Sequence, residues 1–245
     1  MKIALIGYGK MGHMIEQIAL LRGHNIVCVI DKDDQYKFNS DEFKSADVAI
    51  EFSTPLTAEQ NIRNAWAAGV PVVCGTTGWD AQALIVESRK SGQSPKVERA
   101  GNKTMVVDEN GKVMLVWSSN FSVGVNIFFD LNKWLAEVIR HYPQYKPHIY
   151  EEHHIHKLDK PSGTAKTLRN DILSVAAPLN GDASLNDVPI ESVREGEIPG
   201  NHSVIWDSPE DTIVITHMAK GREGFALGAV LAAEKLTALE RIDDR

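Results

Sequence analysis

The amino-acid sequence predicts an α/β protein in two parts, a parallel sheet covered by helices and a smaller α+β domain. Short apolar runs alternate with stretches of helical periodicity in the first part, as in a parallel sheet buried on both faces. Beyond Asn120, strand candidates follow one another with few helices between them, and Glu223–Leu239 returns to helical spacing. We therefore expect residues 1–120 with 221–245 to form one domain and residues 121–220 the other.

Turn-like residues follow each strand candidate of the first domain. Ligand sites in such sheets lie beyond the carboxyl ends of the strands, so these segments are candidate binding loops. The expected strands are Lys2–Ile6, Asn25–Ile30, Asp47–Phe52 and Val70–Cys74, and the expected helices are His13–Arg22, Ala58–Ala68 and Ala81–Ser91.

The rest of the chain is less regular. Segment Ser91–Lys112 suggests a loop or an added hairpin that turns at Asn110-Gly111, a dipeptide typical of such turns. Its strands would be Thr104–Asp108 and Lys112–Trp117. In the second domain we expect helices at Val125–Tyr142 and Thr164–Val175, and strands at Pro147–His154, Asp187–Arg194, Gly200–Asp207 and Thr212–His217.

Composition and charge exclude several classes of protein. The 245 residues carry a formal net charge of −7, which argues against a nucleic-acid partner, although a local cluster of cations can still bind a small anion. No apolar run approaches the roughly 18–20 residues of a membrane-spanning helix, and no signal peptide precedes the first strand. Cys28 and Cys74 lie in apolar runs, which favours reduced thiols and a cytoplasmic protein.

A glycine-rich turn follows the first strand. Gly7, Gly9 and Gly12 satisfy the pattern G-x-G-x-x-G between a strand and a helix. Asp31 ends the next strand at about the 20-residue spacing of a carboxylate that binds ribose hydroxyls. The helix amides would hold the pyrophosphate, and Lys32 could accommodate a 2′-phosphate. The sequence thus predicts a Rossmann-type domain that binds NADH, NADPH or both.

The segment from Glu151 to Lys157 holds three histidines and a lysine, and Ser162-Gly163-Thr164 follows before a helix. A metal site, a solvated polar loop and an acid–base site for an anionic substrate are all possible interpretations. Neighbouring strand residues such as His153 and His154 point to opposite faces, so we expect no metal. Backbone amides at a helix N-terminus suit a carboxylate, and histidine and lysine can transfer protons.

The same segment carries a family resemblance. From Glu151 to Ala165 it is similar to the signature E-x-H-H-x-x-K-x-D-x-P-S-G-T-A of the dihydrodipicolinate reductases. Further similar segments span nearly the whole chain: Gly7–Gly12, Glu51–Pro55, Gly75–Gly78, Ser119–Asn126, Thr216–Arg222 and Gly228–Val230.

This resemblance implies an NADH- or NADPH-dependent reduction of 4-hydroxy-tetrahydrodipicolinate, with loss of water, in the diaminopimelate route to lysine. It implies proton transfer by His153 and Lys157, and a homotetramer formed through the sheet of the second domain. The substrate would be held by His154, Ser162, Gly163 and Thr164. The cofactor would be held by Gly7, Tyr8, Gly9, Lys10, Met11, Gly12, Asp31, Lys32, Gly75, Thr76, Thr77, Ser118, Ser119, Asn120 and Phe121.

Two other functions remain open on the sequence alone. One is a related nicotinamide-dependent dehydrogenase acting on an amino acid or a semialdehyde. The other is a dinucleotide-binding regulator without turnover. The histidine–lysine segment with Ser162-Gly163-Thr164 disfavours the dehydrogenase, and the presence of His153 and Lys157 disfavours the regulator.

Overall fold

The structure, a computed structural model, describes residues 1–80, 84, 96–100, 103–175 and 187–243. The chain forms two compact units, Met1–Ser122 with Glu223–Arg245 (unit 1) and Val123–Arg222 (unit 2). The helix expected at Ala81–Ser91 lies outside the described residues apart from Leu84, which is helical and buried.

The elements of the described ranges are as follows. The strands are β1 (Lys2–Ile6), β2 (Asn25–Ile30), β3 (Val48–Glu51), β4 (Val72–Cys74), β5 (Lys96–Ala100), β6 (Lys103–Val107), β7 (Val113–Ser118), β8 (Lys146–His153), β9 (Ile190–Arg194), β10 (Asn201–Asp207) and β11 (Thr212–Met218). The helices are α1 (Lys10–Leu21), α2 (Asp41–Lys44), α3 (Ala58–Ala67), α4 (Val123–Ile139), α5 (Gly163–Val175) and α6 (Glu223–Asp243), with a 3-10 turn at Gln35–Asn39.

Unit 1 is built on a sheet of order β2-β1-β3-β4-β7-β6-β5. The first five strands are parallel, and β6 and β5 extend the sheet antiparallel to β7. From β1 the chain goes outward to β2 and later returns to β3 on the other side. This reversal is the switch point at which ligands bind in open α/β sheets.

Both faces of this sheet are buried, which explains its continuously apolar strands. Ile3 and Leu5 of β1 pack in one core cluster with residues of α1 and α6. Ala4 and Ile6 pack in another cluster on the opposite face, with residues of α2 and α3. The predicted α/β fold class, with its parallel sheet and second smaller sheet, is confirmed.

The irregular segment before β7 contains one strand more than we expect from the sequence. The predicted hairpin is present as β6 and β7, and Gly111 has the positive φ of 89° that its turn requires. The strand β5 pairs with β6 at the edge of the sheet. Its sequence, Lys-Val-Glu-Arg-Ala, lacks a continuous apolar run, because an edge strand needs less burial and benefits from charge.

Unit 2 has a mixed sheet of order β11-β10-β8-β9, in which only β8 and β9 are parallel. Buried and half-buried residues alternate strictly along β8 and β10. The buried face, with Ile149 and Val204, packs against apolar residues of α4 and α5 such as Phe128 and Leu168. The strands therefore present one face to a core and the other outward, as the alternation predicts.

None of the helices in the described residues is both long and apolar enough to cross a membrane.

Candidate active site

The turn after β1 leaves no room for side chains at two of its glycines. Gly7 has a φ of 88°, and a Cβ on it would lie 2.2 Å from the Phe52 carbonyl oxygen. Its N–H donates to the Ile30 carbonyl over 2.8 Å. A Cβ on Gly12 would lie 2.4 Å from the Gly7 carbonyl oxygen. These glycines thus let β1, β3 and α1 approach closely, as the motif predicts.

Gly9 has a different environment, because a Cβ there would meet nothing within 4 Å. Gly9 caps the N-terminus of α1 without a side-chain hydrogen bond, and the first turn of α1 has no acidic residue. It borders a cleft of about 520 Å³ at the β1–β3 switch point. Open space, free helix amides and a positive helix end together fit the pyrophosphate of a dinucleotide.

The cleft also reaches the end of β2, where Asp31 and Lys32 line it. Asp31 is exposed. The Lys32 side chain is 84% exposed, and its Nζ lies 4.0 Å from a carboxylate oxygen of Asp33. A carboxylate and a cation are therefore both available at the cleft wall.

A third wall of the cleft comes from the segment after β3, which the expected site did not include. Ser53, Thr54, Thr57, Gln60 and Asn61 line the cleft. Only the strand order could have revealed this wall, because β3 lies on the other side of β1 from β2. A sequence pattern shows the end of that strand but not its place in the sheet.

A buried carboxylate supports this third wall. Glu51 is fully buried and accepts hydrogen bonds from the Ser53 N–H (3.1 Å), the Ser53 hydroxyl and the Cys74 thiol (2.9 Å). Burial and the charge of Glu51 hold the pKa of Cys74 well above its usual value, so this thiol stays protonated. Asn61 in turn donates to the Ser53 hydroxyl over 3.1 Å.

Tyr8 also lines this cleft, whereas the expected cofactor residues after β4 and β7 lie outside its walls. A Cβ on Gly75 would lie 2.1 Å from the Phe52 ring. The Thr76 hydroxyl accepts from the Ser53 N–H over 2.9 Å, and its carbonyl accepts from the indoles of Trp79 and Trp117 at 2.8 and 2.9 Å. The segment Gly75-Thr76 is therefore fixed beside the residues that line the cleft.

The segment after β7 is also fixed from within. The Ser118 hydroxyl donates to the Asn120 carbonyl over 2.9 Å, and the Asn120 side chain accepts from the Ser122 N–H over 2.9 Å. Phe121 is buried in the core, and a Cβ on Gly228 of α6 would lie 1.7 Å from its carbonyl oxygen. Phe121 can thus shape the segment but has its ring in the protein interior.

The remaining expected residues of unit 1 lie around the start of α1. The Tyr8 hydroxyl donates to Glu16, and its ring lies 4.0 Å from that of His13. Met11 is half-buried against the core, and Lys10 is exposed. Thr77 and Ser119 are exposed.

In unit 2, the residues at the end of strand β8 alternate between the two faces of the sheet. Glu151 and His153 are buried on the helix-covered face, whereas Glu152 is half-buried on the other. His154 follows the strand and is half-buried. β8 therefore ends at a buried His153, and His154 lies just beyond the strand.

Glu151 is the centre of the buried group. Its Oε1 accepts from the Ser162 N–H (3.2 Å) and from Nη2 of Arg194 (3.0 Å). Its Oε2 lies 2.5 Å from Nδ1 of His153. Burial disfavours the ionised carboxylate, but His153, Ser192 and Arg194 outweigh burial and hold the pKa of Glu151 well below its usual range. Glu151 is therefore a carboxylate at neutral pH.

His202 of β10 is a site residue that the sequence analysis did not include. Its Nε2 lies 3.0 Å from the Ser162 hydroxyl and 4.0 Å from Oε2 of Glu151. Its ring lies 5.0 Å from that of His153 at 75°. Burial, reinforced by His153, lowers the pKa of His202 to about 3. Only the pairing of β10 with β8, which puts His202 opposite Glu151, brings it here.

The loop from His154 to Pro161 is held by Arg194, a second site residue that the sequence does not reveal. Arg194 donates to the carbonyls of Lys157 (3.3 Å) and Asp159 (2.5 Å). Lys157 pairs with the Asp159 carboxylate over 2.7 Å. Although burial raises it, the pKa of Asp159 is lowered by Lys157 and by the Gly163 N–H.

Ser162 immediately precedes α5, and Gly163 and Thr164 are the first two residues of the helix. Ser162 is buried, and its hydroxyl accepts from the Ala165 N–H over 3.2 Å as a helix cap. Gly163 is exposed and Thr164 half-buried. Nδ1 of His154 is buried and has no hydrogen-bond partner among the described residues. Nδ1 of His154 thus lacks a partner within the described part of the chain, while the Gly163 N–H is directed at Asp159.

The ligand-type atoms of Glu151, His153 and His202 all lie within 4.8 Å of one another. The 2.5 Å between Glu151 and His153 is too short to admit an ion between them, since zinc lies about 2.0 Å from each of its ligands. Oε1 of Glu151 also accepts from Arg194 and Ser162, and its Oε2 lies against His153. The arrangement pairs charges and has the character of an acid–base site.

The nucleotide-type cleft of unit 1 and the buried carboxylate–histidine group of unit 2 define a nicotinamide-dependent oxidoreductase. Comparison with known proteins gives the family. The model of the dihydrodipicolinate reductase N-terminus matches residues 1–121, and that of the C-terminus matches residues 124–243. The chain belongs to the dihydrodipicolinate reductase family, and it uses NADH or NADPH.

Individual relatives agree with this assignment. The chain is 42% identical over 241 residues to a 4-hydroxy-tetrahydrodipicolinate reductase of Christiangramia forsetii, covering 96% of this chain and 92% of that protein. It is 35% identical to one of Staphylococcus aureus, covering 96% and 95%. A solved dihydrodipicolinate reductase from Paenisporosarcina sp. TG-14, with dipicolinate bound, has the same fold, with a TM-score of 0.66 at 20% identity over 97% and 94% of the two chains.

Proposed function

We propose that this reductase converts 4-hydroxy-tetrahydrodipicolinate to tetrahydrodipicolinate, with loss of water, in the formation of lysine. The observation that carries the proposal is the Glu151–His153 contact of 2.5 Å, in a buried group that continues through Ser162 into the N-terminus of α5. In this proposal, proton-transfer groups lie beside a site for a carboxylate. The dipicolinate in the solved relative is a ring dicarboxylate of the same kind.

In this proposal the reduced nicotinamide supplies the hydride when it is bound. His153 and Lys157 supply the proton that the ring needs after hydride addition, since a protonated group within hydrogen-bond reach lowers that barrier. Gly163, Thr164 and His154 bind the ring carboxylates through amide, hydroxyl and imidazole groups. The unpartnered Nδ1 of His154 supports its role. Lys157 is held at the start of α5 by Asp159.

The reaction is tested by mixing the purified protein with NADPH or NADH and the fresh condensation product of pyruvate and aspartate semialdehyde. We expect the nicotinamide absorbance to fall with at least one cofactor. No change with either cofactor would exclude the proposed reaction.

The roles of His153 and Lys157 are tested by the variants His153→Gln and Lys157→Met. We expect each to lower kcat by about 10²-fold or more, which is the low end of the effect of removing a general acid, while cofactor Kd changes little. His156→Gln and Lys160→Met are matched controls, because both side chains are exposed. Near-normal kcat with weakened NADH binding in the first pair would contradict the assignment.

The choice between NADH and NADPH depends on Asp31 and Lys32. Since both line the cleft, we propose that the enzyme accepts both cofactors, and parallel titrations measure the ratio of kcat/KM. Asp31→Ala should raise the KM for NADH with little change in kcat. An unchanged KM would show that Asp31 does not contact the cofactor.

We propose further that the chain forms a homotetramer through the sheet of unit 2. On the outer face of β11, Val214 and Met218 are 54% and 68% exposed, which leaves apolar surface for a partner. Val214→Lys should reduce the mass measured by light scattering. Leu21→Lys, a change at an exposed side chain of α1 in unit 1, should not. A monomer in the unmodified protein would refute this part.

A cytoplasmic location is part of the same proposal. Cys28 and Cys74 are both free and buried, and burial raises the pKa of each thiol. Free cysteines of this kind are typical of a reducing compartment.

A further inference from the structure

The two oxygens of Glu151 have different partners, so one oxygen is fixed by the protein and the other is directed at histidines. Oε1 is saturated by Arg194 and the Ser162 N–H. Oε2 faces two imidazoles, with Nδ1 of His153 at 2.5 Å and Nε2 of His202 at 4.0 Å. The contact with His153 is out of line for an ideal hydrogen bond, but two lone pairs would repel at this distance. Nδ1 of His153 therefore carries a proton.

His202 cannot take over that proton. It is 5% exposed, its pKa is lowered to about 3 by burial and by His153, and its Nε2 is engaged with Ser162. At neutral pH one imidazole of the pair is thus held neutral. His153 is the imidazole nearer to Oε2 of Glu151.

The other ring nitrogen of His153 faces a glycine. A Cβ on Gly200, whose φ is 141°, would lie 2.9 Å from Nε2 of His153. The ring is therefore fixed on one side by Glu151 and bounded on the other by a residue that must lack a side chain. This geometry leaves Nε2 as the atom of His153 not engaged by Glu151.

We propose that Glu151 is a positioning residue for proton transfer, which keeps the proton on Nδ1 of His153 so that Nε2 exchanges the other proton with substrate. The inference rests on the proposed role of His153. In the transfer, the Nε2–H bond breaks, its proton goes to the substrate, and the imidazolium becomes the neutral ring with its proton on Nδ1. The carboxylate of Glu151 stays ionised throughout, as in other carboxylate–histidine pairs.

The surroundings of His153 make Glu151 its carboxylate partner. Facing the histidines are Arg194 of β9, Lys157 of the loop, and the imidazoles of His202 in β10 and His217 in β11. Within the described ranges, Glu151 is the one carboxylate within 4.0 Å of His153. Without it, no carboxylate of the described residues would contact the ring.

The first experiment compares Glu151→Gln with Glu152→Gln. Glu152 is a matched control, because it is the next residue of β8 but bonds Tyr150 and Asn201 on the opposite face. A proton donor is active below the pH at which it loses its proton, and Glu151→Gln destabilises the protonated form. We therefore expect the alkaline limb of the kcat profile to move down by at least one pH unit, with an unchanged cofactor KM.

Glu151→Asp, which restores the charge, should recover part of the shift. A profile of Glu151→Gln that coincides with those of wild type and Glu152→Gln would overturn the proposal. So would an equal shift in both glutamine variants.

The second experiment needs no variant of Glu151. Nitrogen NMR of histidine-labelled protein, assigned through His153→Gln, reports which ring nitrogen carries the proton in neutral His153. We expect Nδ1–H, and an Nε2–H tautomer would overturn the proposal even if Glu151→Gln does not fold. Because it requires no substrate, this result is distinct from a failure of the proposed reaction, which would appear as absent wild-type turnover.

Discussion

Gly7 and Gly9 belong to one turn, but the structure excludes side chains there for different reasons. Gly7 is restricted by the protein itself, through its positive φ and the backbone of Phe52. Gly9 has open space toward the cleft, so only a ligand would make a Cβ unfavourable. The same motif thus contains one folding requirement and one binding requirement.

The variants Gly7→Ala and Gly9→Ala separate these two requirements. Gly7→Ala should lower the Tm strongly or prevent folding, because a backbone atom cannot move aside at 2.2 Å. Gly9→Ala should keep the wild-type Tm but weaken cofactor binding by tenfold or more, as titration of protein fluorescence with NADH would measure. Equal losses of Tm in the two variants would contradict this distinction.

At the scale of elements, α6 is tied to the segment that follows α1. Arg22 donates twice to Glu234 over 2.8 Å, and His24 lies 2.7 Å from the same carboxylate. Arg22, followed by a smaller effect of His24, lowers the pKa of Glu234 to about 2 against the opposing effect of burial. The side chains are 37% and 26% exposed, so solvent weakens the pair.

Glu234→Gln should therefore lower the free energy of unfolding by about 1 kcal/mol at pH 7. Because the folded-state pKa of Glu234 is depressed, its stabilisation is present above the unfolded value and is lost as the pH falls through about 2. Denaturation in urea at pH 7 and at pH 2.5 measures the difference. Glu59→Gln, which removes an i,i+4 pair with Arg63, should have a smaller effect. A difference from wild type that does not shrink in acid would contradict the pairing.

At the scale of the whole molecule, the two units are expected to respond differently to acid. Unit 2 contains His202 and His217, whose pKa values are lowered chiefly by burial. A histidine with a depressed folded-state pKa binds its proton more readily in the unfolded chain. Its contribution to stability is therefore present above the unfolded value of 6.5 and is lost as the pH falls toward about 3.

Unit 2 should accordingly lose stability before unit 1 on acidification. A single proton taken up on unfolding gives a slope of about 1.4 kcal/mol per pH unit. Hydrogen exchange, corrected for intrinsic rates at pH 7 and pH 5, would resolve the units separately. His202→Gln should flatten the slope for unit 2, and an unchanged slope would exclude His202 as its source.

Local patterns in the sequence were sufficient to predict the first glycine-rich turn and the strands beside it. Gly7, Gly9 and Asp31 are placed by short-range spacing, so they can be inferred before any sheet is known. His202 and Arg194 reach Glu151 only through the pairing of β10 and β9 with β8. Strand register between distant segments has no local signature, and these two residues are therefore invisible to motif reasoning.

Elements with weak hydrophobic patterns could not be predicted from the sequence either. The strand β5 has three charged residues among its five, a composition that resembles an exposed loop. The cleft residues Ser53 and Thr57 are ordinary turn residues in sequence. Their importance comes from β3 lying next to β1 in the sheet.

The position of α6 has a consequence for how the chain is made. Ala226, Val230 and Leu236 fill the same core as Ile3 and Leu5 of β1. During synthesis that core stays incomplete until residues 223–243 leave the ribosome, whereas all strands of unit 2 emerge earlier. The N-terminal half must therefore wait in a partly exposed state, although domains usually fold in the order in which they are synthesised. A nascent chain stalled before residue 223 should therefore expose apolar surface to chaperones, and a full-length chain should not.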